Sequence, residues 1–170
     1  NLNKAGNVTA NTGATFAEAA VLGASTSTVV FDIVDDAAAY SNAVINDANN
    51  ISTTGTTALT AAQAAQLLVA TNSGSITIAN VTGTAADLAA LTKGAGDSIA
   101  AATISTNTAA TVTQAGSIRS LATSATYALS DTAEALAAAG ADVLNGAATN
   151  GSAKAIVSTD AATVAQATTI

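Results

Sequence analysis

Few residues in this chain have types and spacings that could do chemistry, and most of them are carboxylates. Asp35 stands beside Asp36, Asp131 precedes Glu134 by one helical turn, and Asp160 leads into an alanine run. Two uses compete for such groups. They can ligate a cation or act as general acid and base, or they can accept the free amides at a helix start. A calcium loop needs about six to eight converging oxygens, and no Asp-x-Asp-x-Asp-Gly series supplies them. A glycosidase needs two carboxylates facing each other across a cleft, which the architecture inferred below does not provide. Capping fits better, because these residues fall where strand-like alternation gives way to alanine. Asp35 and Asp36 are the least redundant of the set and the best candidates for another role. Ser130 and Ser158 precede cap positions, and with no His in the chain neither has a base to activate it. No catalytic, cofactor-binding or metal-ligating residue is assigned, no cofactor is expected, and the chain is read as non-enzymatic.

Composition narrows the choice further. The chain lacks Cys, His, Met, Trp and Pro, which removes disulfides, imidazole and thiolate metal sites, and thiol nucleophiles together. The basic residues are Lys4, Lys93, Arg119 and Lys154 against 11 acidic ones, giving a net charge of −7 and a pI near 4.1. No basic stripe is available for phosphates, so neither nucleic acid nor an anionic lipid surface is an expected partner. No apolar run approaches the length of a membrane span, and no charged n-region leads into an apolar h-region. Asn1 to Lys4 and Ala167 to Ile170 look like the interior of a pattern, so a processed chain or a piece of a longer protein is expected.

The elements that must position these residues follow a recurring grammar. Thr126 to Ala139 displays it best: apolar alternation at Tyr127 and Leu129, a polar break at Ser130 and Asp131, then an alanine-rich segment with Leu136. Asp131 is expected to cap the helix that follows, with Glu134 reaching back to the cap's amide. Thr15-Phe16-Ala17-Glu18 and Thr60-Ala61-Ala62-Gln63 read as capping boxes, and Thr84 to Asp87 as a cap before Leu88 and Leu91. Strands are expected at Val8 to Ala10, Val29 to Val34, Ile51 to Thr57, Ser75 to Val81, Ile99 to Thr106 and Ala155 to Thr159. A helix is expected after Asp35-Asp36 through Tyr40, Val44 and Ile45. Another should end at Lys93-Gly94, and a threonine-rich one should run through Val112, Gln114 and Ile118.

With Thr15, Asp35, Thr60, Thr84, Asn107, Asp131 and Asp160 as caps, the spacings are 20, 25, 24, 23, 24 and 29 residues. A strand and a short helix with two connections fill a period near 24. Helices that return the chain to one edge make the strands parallel. The fold class expected is α/β, a repeat solenoid of about seven strand–helix units over residues 1–170, with a parallel sheet on one side and short helices on the other. The units are approximately 1–28, 29–50, 51–74, 75–98, 99–124, 125–152 and 153–170. Ala (47) and Thr (28) make up about 44% of the chain, and thin, closely stacked layers suit a core of such small side chains. A doubly wound domain would require longer apolar strands, and usually a Gly-rich phosphate loop.

The phrases Tyr127-Ala128-Leu129-Ser130-Asp131-Thr132-Ala133 and Ser158-Thr159-Asp160-Ala161-Ala162-Thr163-Val164-Ala165-Gln166-Ala167 resemble the Ala/Thr-rich repeat regions of large secreted bacterial cell-surface, adhesin or matrix proteins, of the kind found in cyanobacteria. The resemblance covers about residues 99 to 170. It implies an adhesive or matrix-forming role outside the cell, and secretion without an N-terminal signal. The Gly-Gly-x-Gly-x-Asp calcium nonapeptide that often accompanies such proteins is absent.

The function expected is therefore a non-catalytic extracellular or cell-surface structural protein that assembles head to tail into a filament, surface layer or adhesive stalk. Its partners would be copies of itself or neighbouring repeats of a longer chain, with glycan or cell-surface contact as a further possibility. The alternative is a binding module for carbohydrate, ice or protein that uses the sheet or helix face. The sequons at Asn7, Asn50, Asn80 and Asn150 offer glycan positions. Thr77, Thr103 and Thr126 are expected to face outward, in the manner of an ice-binding row diluted by other residues. Tyr40 and Tyr127 should lay their rings over the alanine helices and leave their hydroxyls at the edge.

Overall fold

Three isoleucines set the register of the largest sheet. The computed structural model describes residues 7–10, 12–72, 74–99, 104–123, 125–148 and 155–170. In chain order the elements are β1 (Asn7–Thr9), α1 (Phe16–Gly23), β2 (Thr28–Val30), β3 (Ile33–Asp36), β4 (Ile51–Thr54), β5 (Leu59–Thr60), α2 (Ala61–Leu68), β6 (Ile76–Ile78), β7 (Val81–Gly83), α3 (Ala85–Ala89), β8 (Ser98–Ile99), β9 (Ile104–Thr106), α4 (Val112–Leu121), β10 (Leu129–Asp131), α5 (Ala133–Ala138), α6 (Ala141–Ala148), β11 (Ile156–Ser158) and α7 (Val164–Thr169). They fall into two compact groups, residues 1–80 with 92–100 and residues 81–91 with 101–170. Both are mixed α/β, the strand pairings described below are parallel, and no sheet among the described residues closes into a barrel.

In the first group β3, β4, β6 and β8 form one parallel sheet in that order. Ile33 pairs with Ile51 and Ile51 with Ile76, and all three are at most 1% exposed. Identical β-branched side chains at strand spacing fit one another without gaps, and each contributes roughly 1.5–3 kcal/mol of burial. Leu59, Ala64 and Leu67 join the same interior from β5 and α2. A second parallel pair is β1 with β2, and α1 packs against β3.

In the second group β7 pairs with β9 and β10 with β11, while the bridges Ser105 to Thr126 and Ala110 to Leu129 carry the parallel pairing between them. Helix α4 packs against α3 and α6, and α5 against α7. The interior is built from Val81, Leu88, Ile104, Ala115, Ile118, Tyr127, Leu129 and Leu136, all fully buried.

Several expectations need correction. The helix expected after Asp36 is only a three-residue 3-10 turn, Ala37–Ala39, and Tyr40 leaves it in extended backbone at φ −50°, ψ 129°. Its ring meets Phe16 edge-on at 5.6 Å, and the poor helix formers Ser41 and Asn42 follow, so tertiary packing overrides the alanine run. The run Val29 to Val34 is two strands rather than one. Its bend lies at Phe31, which is 2% exposed, and at Asp32, which accepts the Asn50 backbone amide at 2.9 Å. Helix α3 ends at Ala89 with Ala90 as its cap, so Lys93 and Gly94 lie beyond it, and the Gly94 amide donates to Asp97 Oδ2 at 2.9 Å. The threonine-rich helix α4 has 10 residues, and α6 was not foreseen. The strand expected over Ile99 to Thr106 is β8 and β9, with residues 100–103 outside the described residues.

Candidate functional site

Threonine, not aspartate, caps six of the described α-helices. Thr15, Thr60, Thr84, Thr111, Thr132 and Thr163 are the N-caps, each in extended backbone with its hydroxyl accepting an amide of the first turn. Four are complete capping boxes, pairing Thr15 with Glu18, Thr60 with Gln63, Thr111 with Gln114 and Thr163 with Gln166. The caps expected at Asp35, Asn107, Asp131 and Asp160 are therefore displaced. Asp36 caps the 3-10 turn, accepting from the Ala38 amide. Glu134 cannot complete a box, because the N3 residue of α5 is Ala135, whose amide the Thr132 hydroxyl accepts.

The displaced aspartates work at longer range. Asp35 Oδ2 accepts the Phe16 amide at 3.0 Å, and Phe16 is the first residue of α1. Asp131 Oδ2 accepts from Val112, the first residue of α4, at 2.9 Å. Asp160 Oδ1 accepts from Ala133, the first residue of α5, at 2.6 Å. Thr108 Oγ1 does the same for Ala85, the first residue of α3, at 2.9 Å. Each helix start so bound is held twice, by its own threonine and by a side chain of the following strand–helix segment. A carboxylate suits the second task because the first-turn amides carry partial positive charge.

In the first group comparable bonds run between strands. Asp32 Oδ1 accepts from the Asn50 amide, Asn50 Oδ1 from the Ser75 amide, and Asp97 Oδ1 from the Ile76 amide, each at 2.9 Å. Two sequon asparagines are committed in this way. Asn50 Nδ2 donates to Asp32 and Asn80 Nδ2 to the Gly55 carbonyl, both at 2.9 Å. The backbone of Asn7 lies in β1, and Asn150 lies outside the described residues, as do Lys4, Lys154 and Thr103.

No family model, curated protein or solved structure matches the chain. Its chemistry has to be read from the geometry. Among the described residues no three acidic side chains gather as a metal site would require, and no helix is long and apolar enough to cross a membrane. The exposed carboxylates whose acidity departs from the ordinary value are held ionised by hydrogen bonds. The Thr15 amide and hydroxyl lower Glu18, the Ala38 amide and the Thr57 hydroxyl lower Asp36, and the Ala133 amide and the Ser158 hydroxyl lower Asp160. A depressed carboxylate that already accepts two donors makes a poor general acid.

Ser130 and Ser158 sit in the paired strands β10 and β11, and the Ser158 hydroxyl donates to the Asp160 carbonyl at 2.8 Å. The Arg119 guanidinium donates to the Thr123 carbonyl past the end of α4. Thr77 is half-buried, its hydroxyl 3.3 Å from that of Ser98. Thr126, expected to face outward, is 8% exposed, so the described part of the expected threonine row does not form one outward face. Tyr127, expected to keep its hydroxyl at the edge, is fully buried and donates to the Val143 carbonyl at 2.8 Å. Burial raises its pKa, with Arg119 opposing and Asp142 adding to the shift. Gly146 makes room for it, since a Cβ there would strike the phenol ring and oxygen. Tyr40, half-buried and with its pKa raised by burial, donates to Gln66 Oε1 at 3.3 Å.

Sequence reasoning missed Thr108, Thr111, Thr132 and Thr163. For Thr111 and Thr163 the signal was present, as Thr-Val-x-Gln in both places. Nothing local marks Thr108, whose partner is 23 residues back.

Proposed function

We propose that this chain is a non-catalytic structural protein of the cell surface or extracellular space, related in design to the Ala/Thr-rich repeats of large bacterial adhesin and matrix proteins. In this reading the strand–helix segments are laps of an α/β solenoid of about seven units. The protein works by stacking, head to tail, into a filament, surface layer or adhesive stalk. One observation carries the reading: four helix starts, in α1, α3, α4 and α5, take a side-chain oxygen from the segment that follows. Carboxylates that might have served chemistry are spent on joining one layer to the next. A protein built by repeating one layer-to-layer bond is suited to continue it between molecules.

The test is electron microscopy of the purified 170-residue chain over a concentration series. Fibres or sheets that lengthen with concentration, with an axial repeat near the length of one chain, are expected. Discrete particles at every concentration would overturn the proposal. Glycan and ice-binding screens would then decide whether the chain is a binding module.

A further inference from the structure

We infer that Asn145-Gly146 is a site of spontaneous deamidation through the backbone, and that the packing of Tyr127 on helix α6 is the latch that sets its rate. The reaction belongs to the dipeptide. The Gly146 nitrogen bonds to Asn145 Cγ, the side-chain nitrogen leaves as ammonia with the proton of the Gly146 amide, and a cyclic imide forms. Water then opens the imide at either carbonyl and leaves aspartate or isoaspartate. Glycine favours the attack because no Cβ hinders its nitrogen or restricts its backbone. A helix opposes it. With Asn145 in α6, the Gly146 amide points along the axis toward the carbonyl four residues back, so ψ of Asn145 has to leave its helical value before the ring can close.

Three observations put the control at Tyr127. Asn145 is exposed, whereas Gly146 and Ala147 after it are buried, so the leaving amide stands in water while the attacking nitrogen belongs to packed backbone. The Tyr127 ring and oxygen lie where a Cβ of Gly146 would be, and the hydroxyl donates to the Val143 carbonyl at 2.8 Å. One buried side chain therefore grips α6 on both sides of Asn145. Finally, α6 has 8 residues, too few to hold a helix without tertiary contacts, and it packs on α4. It stays helical only while it stays docked. The product cannot restore the latch. Isoaspartate routes the main chain through the former side chain and so adds a methylene ahead of Gly146. Either product also sets a carboxylate in the second half of α6, three residues after Asp142 and toward the negative end of the helix. Each opening that ends in reaction is recorded irreversibly.

Peptide mapping by mass spectrometry of the full chain, incubated at mildly alkaline pH, tests the inference. Asn150-Gly151 is the same dipeptide and is mapped separately. In urea-unfolded wild type Asn145 should convert to aspartate and isoaspartate, and in the folded chain it should convert many times more slowly. Tyr127→Phe keeps the ring and removes the hydroxyl, and should speed conversion in the folded chain about fivefold, the equivalent of one hydrogen bond acting on the opening of α6. Ile76→Val, a comparable loss in the other compact group, should leave the rate unchanged, and Asn145→Gln should remove the product. Circular dichroism checks that each variant is folded during incubation. Should Tyr127→Phe not fold, hydrogen exchange at the wild-type Gly146 amide decides, with protection that matches the slowing of deamidation expected. Equal rates in folded and unfolded wild type, a Tyr127→Phe rate no faster than wild type, an Ile76→Val rate equal to that of Tyr127→Phe, or an unprotected Gly146 amide overturns the latch. No product at Asn145 in the unfolded chain overturns the site.

Discussion

Thr111–Ile118 and Thr163–Ile170 are nearly the same phrase in two settings. Each begins with a threonine–glutamine capping box, so the local helix signal is equal. Helix α4 is packed between α3 and α6 and buries Ala115, Ile118 and Leu121, whereas α7 touches α5 and buries nothing. The comparison separates what a segment specifies for itself from what its neighbour supplies. Capping and helix start are local, and burial comes from the elements packed against the helix.

The comparison can be broken at several points. The largest effect is expected at the paired isoleucines. Ile118→Ala should cost about 2–5 kcal/mol in urea denaturation, and Ile170→Ala less than about 1 kcal/mol in the unassembled chain. Equal losses would mean that α7 is covered after all. Next comes helix α6, which packs on α4: Gly146→Ala drives a methyl group into the Tyr127 ring and should destabilise by about 1–3 kcal/mol, with much of the loss recovered when Tyr127→Leu is added. Asp131→Ala removes the acceptor for Val112 and that for the Thr132 amide, and should cost about 1–2 kcal/mol.

Acid should loosen the bond that Asp160 makes to the start of α5. The folded-state pKa of Asp160 lies below the ordinary 3.8 because the Ala133 amide and the Ser158 hydroxyl bind its ionised form. Its contribution is therefore present above that value and is lost as pH falls through the lower folded value. Circular dichroism of the wild type should fall away below about pH 4 more steeply than that of Asp160→Asn. The smallest effect is also the sharpest. The Val112 amide should be protected from hydrogen exchange and lose that protection in Asp131→Ala, while the Val164 amide should exchange freely until the chain assembles.

Much of this was legible in the sequence. The boxes at Thr15 and Thr60, the cap at Thr84, the strands around Ile51, Ile76 and Ile156 and their parallel pairing follow from local pattern and from short strand–helix spacing. The aspartate bonds were not legible. An Asp before an alanine run looks the same whether it caps its own helix or one that starts 19 residues earlier, as with Asp35 and Asp131. Only the tertiary fold brings the two together. The aborted helix at Ala37–Ala39 was hidden for a related reason, since the Tyr40 ring answers to Phe16 rather than to its own neighbours. Helix α6 carries Gly146, which weakens its local helix signal, and that glycine is required by the Tyr127 ring that packs on it.

The four bonds that fasten a helix start to the next segment join residues 19, 23, 19 and 27 positions apart. They fix which residues meet without setting how much chain lies between them. Doubling a flexible connection costs only about 0.6 kcal/mol in closure entropy, and the longest of the four spans accommodates all of α6. Residues gained or lost between two fastened positions would change a loop or add a helix and leave the fastening bond in place.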